Sequence, residues 1–275
     1  LWTMGDSLTF SGGGELDNGM TVAVKYEYDD DEADANENSG GFDSHSITLS
    51  SDEMGSITFA GHGGDGAMSA IDDKTPNAYE ESWDAVKNAD TQFVGGTSGD
   101  NMFTYKSPTI SGAVLTIGYL PGGSKDDKTN TGGYADFGIT VKPEAVEGLE
   151  VAFAMGESEE TAGTKVDEQA MYVKYTYGSI TAGYQMNEAD GPTSATDVET
   201  TAAGITYAIT DDITIGYNQA SSDRANATKD QDSTGISASF TSGGITVAGV
   251  MNSVDNVAYA TTDAEGYEFN ISFAF

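Results

Sequence analysis

The sequence predicts an all-β fold, an antiparallel β-barrel that crosses a membrane with strands. Three observations carry this reading. Apolar side chains alternate with small or polar ones with a period of two along most of the chain. Connections between the alternating segments fall into two length classes, short and long, that take turns. The last segment, YEFNISFAF, puts Tyr267, Phe269, Ile271, Phe273 and Phe275 on one face and Glu268, Asn270, Ser272 and Ala274 on the other.

The strand segments fall near 6–12, 19–29, 44–51, 55–61, 101–107, 113–120, 133–142, 148–157, 168–177, 179–187, 199–209, 212–220, 234–241, 244–252 and 265–275. Most have roughly 8–11 residues, the length a tilted strand needs to cross a bilayer. In 19–29, Val22, Val24, Tyr26 and Tyr28 alternate with Ala23, Lys25 and Glu27. In 133–142, Ala135, Phe137, Ile139 and Val141 alternate with Asp136, Gly138, Thr140 and Lys142, and in 148–157 Leu149, Val151, Phe153 and Met155 alternate with Glu150, Ala152, Ala154 and Gly156. In 168–177 the apolar set is Met171, Val173, Tyr175 and Tyr177.

The short connections are rich in Gly, Asp and Asn, as at Asp17-Asn18-Gly19, Glu53-Met54-Gly55, Thr210-Asp211-Asp212 and Ser242-Gly243-Gly244. The long ones are 30–43, 62–100, 121–132, 158–167, 188–198, 221–233 and 253–264. Short turns at one end and long loops at the other mark an outer-membrane barrel. Lys25, Lys106, Lys142 and Lys174 all lie on the polar face, where they escape the ~2–4 kcal/mol cost of a Lys facing lipid at mid-bilayer. About fifteen strands with the terminal one ending on the short-turn side leave an odd number, so sixteen are expected, with one preceding Leu1.

Bulk composition narrows the function classes. Of 275 residues, 45 are acidic and 11 basic, a formal net charge of −34, and the pI is near 4.1. This excess disfavours nucleic acid and anionic cytoplasmic lipid as partners and makes divalent cations natural counter-ions. The 14 Tyr, 11 Phe and 2 Trp separate the chain from acidic disordered segments. Without cysteine there is no disulfide framework, thiol catalysis or Cys-ligated zinc. No run of about 18 apolar residues provides a membrane-spanning helix. The chain opens at Leu1 without an initiator Met or a basic leader, which points to a processed or truncated start.

These features resemble the sixteen-stranded trimeric general-diffusion porins of Gram-negative bacteria, particularly the alphaproteobacterial type. The terminal aromatic strand ending at Phe275 resembles that family's assembly signal. NMFTYKSPTISGAVLTIGYLPGG, residues 101–123, resembles the strand-turn-strand that follows the family's constriction loop, with Tyr105, Ser107, Pro108, Gly112 and Tyr119 matching. Phe93-Val94-Gly95-Gly96 only partly matches that loop's ending, whose Pro-Glu is absent. The resemblance implies a single barrel over 1–275, passive passage of ions and small hydrophilic solutes, no enzymatic activity, a homotrimer, and contact with outer-membrane lipid and lipopolysaccharide.

Segment 62–100 is too long for a structureless connection in a compact fold and is therefore a functional candidate. The resemblance implies that it folds into the pore. Tyr79, Trp83 and Val86 have a helix-like spacing that lets them pack on the wall, while Asp72, Asp73, Glu80, Glu81, Asp84 and Asp90 face the pore and Lys74 and Lys87 partly offset them. Lys25, Lys106, Lys142 and Lys174 are the candidate wall bases; the single Arg, Arg224, falls in a loop segment. An acid-rich constriction with a thin basic side predicts cation preference.

The resemblance implies that segment 29–43 is an acidic extracellular loop. Asp30, Asp31, Glu32 and Asp34 are candidates for calcium or magnesium, although the EF-hand spacing is absent and a solvated acidic loop is an equal reading. Ser44-His45 is poorly placed as a nucleophile–base pair, because strand neighbours point to opposite faces. Two alternatives remain open at this stage: an enzyme, adhesin or receptor built on the same barrel, and a secreted acidic β-protein that folds with calcium.

Overall fold

A computed structural model describes residues 7–28, 44–90, 96, 99–122, 132–161 and 164–274. The acidic-loop candidates Asp30, Asp31, Glu32 and Asp34, the motif residues Phe93, Val94 and Gly95, and the terminal Phe275 lie outside them. Fifteen strands are described: β1 (Leu8–Glu15), β2 (Thr21–Tyr28), β3 (Ser44–Ser51), β4 (Gly55–His62), β5 (Met102–Lys106), β6 (Ala113–Leu120), β7 (Tyr134–Val141), β8 (Leu149–Thr161), β9 (Thr164–Tyr177), β10 (Ile180–Asp190), β11 (Val198–Thr210), β12 (Ile213–Arg224), β13 (Gln231–Ser242), β14 (Ile245–Asp255) and β15 (Ala264–Phe273). They form one sheet in sequence order, and each neighbouring pair is antiparallel. Each segment predicted from alternation corresponds to one strand.

The long-loop ends differ from the sequence reading. β8 and β9 continue to Thr161 and Thr164, so the expected loop 158–167 is mostly ladder. Likewise β12 reaches Arg224 and β13 starts at Gln231, shortening the expected loop 221–233 and placing Arg224 at a strand end. The physical reason is visible on the outward face. On β9 the outward side chains run Tyr177, Tyr175, Val173, Met171 and then Gln169, Asp167, Lys165; on β13 they run Phe240, Ala238, Ile236 and then Thr234, Asp232. Beyond the apolar band both faces are polar, so alternation vanishes while backbone pairing continues.

Large apolar side chains are exposed outward on strand after strand, including Ile117, Phe137, Tyr184, Ile236, Phe240 and Phe269. A water-soluble surface rarely carries so continuous an apolar face. In hydrocarbon it has no cost, and this overturns the reading as a secreted soluble protein.

The buried clusters lie on the other face, where one loop meets the wall. Ala67, Met68 and Ile71 pack with Ala152, Ala154, Ala170 and Tyr172 of β8 and β9. Trp83 and Val86 pack with Ala202, Ala220, Val254 and Val257.

Candidate functional site

The loop between β4 and β5 leaves the wall at His62 and returns at Met102. Gly64 and Gly99 close its base through two backbone hydrogen bonds of 3.1 Å each, and His62 Nδ1 lies 2.5 Å from Asp100 Oδ1 beside them. Its described part contains turns rather than the helix suggested by the spacing of Tyr79, Trp83 and Val86. The i→i+3 bonds Ile71 N–H to Met68 O (2.9 Å) and Val86 N–H to Trp83 O (2.9 Å) are isolated turns. Trp83 and Val86 nonetheless bury against the wall as the spacing implied.

An irregular segment leaves backbone donors and acceptors that need partners. Inward side chains of the wall supply them in order along the sheet. Asp136 of β7 accepts from Met68 N–H (2.9 Å) and from the Tyr134 hydroxyl (3.0 Å). Gln185 of β10 accepts from Lys74 N–H (2.7 Å), and Asn187 donates to Asp72 O (3.0 Å). Ser237 of β13 accepts from Ala78 N–H (2.9 Å), and Ser82 and Ser233 share a hydroxyl bond of 2.7 Å. Asn252 of β14 donates to Glu81 O (3.0 Å) and accepts from Ala85 N–H (2.9 Å). Gln231 of β13 both accepts from Asp90 N–H and donates to Asp90 O, each at 3.0 Å. From β7 to β14, one face of the sheet thus holds one loop.

None of these wall residues was singled out from the sequence. The available signal was an Asp, Asn or Gln at an inward position among Gly, Ala, Ser and Thr.

The predicted loop acids divide into two groups. Glu80, Glu81 and Asp84 each bring one carboxylate oxygen to within 4.8 Å of the others, a donor set that could hold a metal ion. Burial, followed by the charge of Asp84, raises Glu80 above the usual carboxylate range. Glu81 is raised further, by burial and then by its contacts with Asp84 and Asp73. Burial, with Asp73 beside it, pushes Asp72 up to about 6. The Tyr79 hydroxyl donates to Glu268 of β15, which adds a wall carboxylate to this group. Asp73 and Asp84 are exposed. Asp90 stands apart, paired with Arg224 at 2.9 Å beside the Tyr259 ring.

The predicted wall bases do not form one cluster. Lys25 pairs with Glu27 at 3.0 Å. Lys142 and Lys174 converge on Glu150, at 3.3 and 3.7 Å. Lys106 ends β5, beside the short turns around Met20 and Met54. His45 stacks on Tyr26, its ring centroid 6.2 Å away, while Ser44 donates to Glu27, so the two neighbours face apart as expected.

The family model described as Gram-negative porin matches residues 2–228. No curated protein sequence matches. Among solved structures, the anion-selective porin from Comamonas acidovorans is similar at TM-score 0.72 and 15% identity, covering 98% of this chain and 89% of that chain. Salmonella typhi OmpF in complex with daunomycin gives TM-score 0.73 and 15% identity over 98% of this chain and 89% of that chain. The trimer form of Vibrio cholerae OmpT gives 0.68 and 11% identity over 98% and 91%. The fold is that of a porin barrel, with the sheet as its wall and the β4–β5 loop inside.

Proposed function

This chain belongs to the Gram-negative porin family and is an outer-membrane diffusion channel; from that premise we propose that its pore passes ions and small hydrophilic solutes with a preference for cations. One observation supports the preference above the rest. Asp72, Asp73, Glu80, Glu81, Asp84 and Glu268 gather on the loop and the wall next to it, whereas Lys25, Lys142, Lys174 and Arg224 are each tied to a carboxylate. A lumen focuses the potential of fixed charges, so a carboxylate group whose wall bases are mostly held by acids of their own enriches cations beside it. Calcium and magnesium are the hard, oxygen-seeking ions that the Glu80–Glu81–Asp84 group would favour. An anion-selective porin shares this fold, so the sign of the preference rests on these side chains rather than on the barrel.

The reading extends to a homotrimer embedded in outer-membrane lipid and lipopolysaccharide, supported by the trimer form solved for a protein of similar fold. Reversal potentials of the refolded protein in a planar bilayer under a salt gradient test the charge preference. Cation selectivity that falls in Glu80→Gln/Asp84→Asn supports it. Anion selectivity would overturn the assignment of the loop acids, and folded protein without channels would overturn the whole reading.

A further inference from the structure

Inward residues of six strands stand in one register row beneath the loop: Gly183 of β10, Gly204 of β11, Asn218 of β12, Gly235 of β13, Asn252 of β14 and Gly266 of β15. At about 4.8 Å per strand the row covers roughly 24 Å of wall. Its asparagines flank Gly235, and Asn252 holds the loop's backbone. Its glycines leave room for the loop. A Cβ on Gly204 would lie 2.2 Å from Pro76 O, and one on Gly266 would lie 1.8 Å from Ala85 O. One on Gly235 would lie 3.0 Å from Ser82 Cα, and one on Gly183 would lie 2.6 Å from Pro76 Cδ. Gly216, two residues before Asn218, repeats the pattern, with a Cβ 2.8 Å from Ala78 N.

Two features separate this lane from ordinary strand glycines. None of the five has a positive φ, so backbone conformation does not demand glycine at these positions. Glycine also weakens a strand interior, which makes five such positions under one loop costly unless the missing side chain does something. At Gly204, Gly216 and Gly266 the nearest atoms are loop backbone, so no side-chain rotation could relieve the overlap, whereas at Gly235 the wall's own Asn218 Oδ1 and Asn252 Nδ2 lie nearer than the loop, at 2.4 and 2.8 Å.

We propose that this glycine lane sets the calibre of the pore, and with it the largest solute admitted, by letting the loop lie flush against the wall. The inference rests on the diffusion-channel reading and adds a size-determining role to wall residues that carry no charge. To regain an ordinary contact of 3.4 Å, alanine would have to drive the loop into the lumen by at least 1.2 Å at Gly204 and 1.6 Å at Gly266.

The test measures single-channel conductance and the exclusion of graded polyethylene glycols for Gly204→Ala, Gly266→Ala and a control, Gly12→Ala on β1. In the control, the new methyl would meet only Val24 Cγ2, at 3.8 Å. The expected result is lower conductance and loss of entry for the largest polymers admitted by the wild type, in both lane variants and not in the control. The sign of the reversal potential should stay unchanged, because no charge has been added or removed. Gly183→Ala provides a second route, since its overlap is with the Pro76 ring. Gly183→Ala should narrow the pore, and Gly183→Ala/Pro76→Ala should restore it. Wild-type conductance and exclusion in Gly204→Ala and Gly266→Ala would show that the wall yields instead of the loop and would overturn the proposal. So would equal narrowing in the control, or a double variant as narrow as Gly183→Ala. A wild-type protein without channels would instead count against the functional reading.

Discussion

Removing Trp83 should release the distal arm of the loop. Its side chain is 5% exposed, buried with Val86 against Ala202, Ala220 and Val254 of the wall and Val257 in the turn after β14. Truncating a buried Trp to Ala costs roughly 3–5 kcal/mol. At about 1.4 kcal/mol per factor of ten, the seated-to-unseated ratio of this arm should fall by about 10²-fold to several thousand-fold. The bonds left along this arm are those of Asn252 to Glu81 O and Ala85 N–H, of Ser82 to Ser233, and of Gln231 to Asp90 N–H and Asp90 O. At about 1 kcal/mol each they total about 5 kcal/mol, comparable with the burial that was lost. Trp83→Ala should therefore populate unseated states while the barrel strands stay paired. Hydrogen exchange over residues 81–90 reads this directly, through the amide protons that Ala85 and Asp90 donate to Asn252 and Gln231. Protection there should drop by the same factor, and bilayer traces should gain closing events. Unchanged protection together with wild-type current noise would refute the claim that burial of this indole holds the loop.

Three further outcomes follow from the same geometry. The Asp72 carboxyl is held near 6, above its ordinary 3.8, so its proton favours the seated loop below about pH 4, and this contribution is lost as pH rises through about 6. Cation preference should accordingly strengthen between pH 5 and 7 at roughly that midpoint, with a smaller step in Asp72→Asn; an identical titration in the variant would assign the step elsewhere. Gln231→Ala leaves Asp90 N–H, Asp90 O and Ala258 N–H without their Gln231 partner. It should cost about 3 kcal/mol or more, seen as a lower temperature for loss of the folded form on detergent gels; an unchanged temperature would mean other partners replace it. Arg224→Gln should leave Asp90 unpaired in the loop and increase cation preference; a shift toward anions would contradict the assignment of Arg224 as a neutralising partner.

Most of the wall was legible because each strand has one face in lipid and one facing inward, and that asymmetry imprints a period of two on residue type. The upper ends of β8, β9, β12 and β13 were not legible. There both faces meet polar surroundings, and hydrogen-bonded pairing leaves no mark on side-chain polarity. In the loop, length singled out 62–100, and the aromatic and aliphatic pair Trp83 and Val86 carried its own burial in its chemistry. The charges were harder to read. Asp90 looked like one pore acid among several until Arg224, 134 residues further along, was found against it. Lys142 and Lys174 looked like free wall bases until register placed both beside Glu150.

The sequence by itself determined that this chain is a membrane barrel, which face of each strand meets lipid, and which loop was long enough to enter the lumen. Those properties follow from local periodicity and spacing, which every strand records independently. The tertiary structure alone decided which acids pair with a base, which bases are held by a carboxylate, and that Gly183, Gly204, Gly235 and Gly266 share one row beneath the loop. Each of these depends on the register between neighbouring strands, and the sliding of one strand past another sets which inward residues meet while leaving the alternation within each strand unchanged.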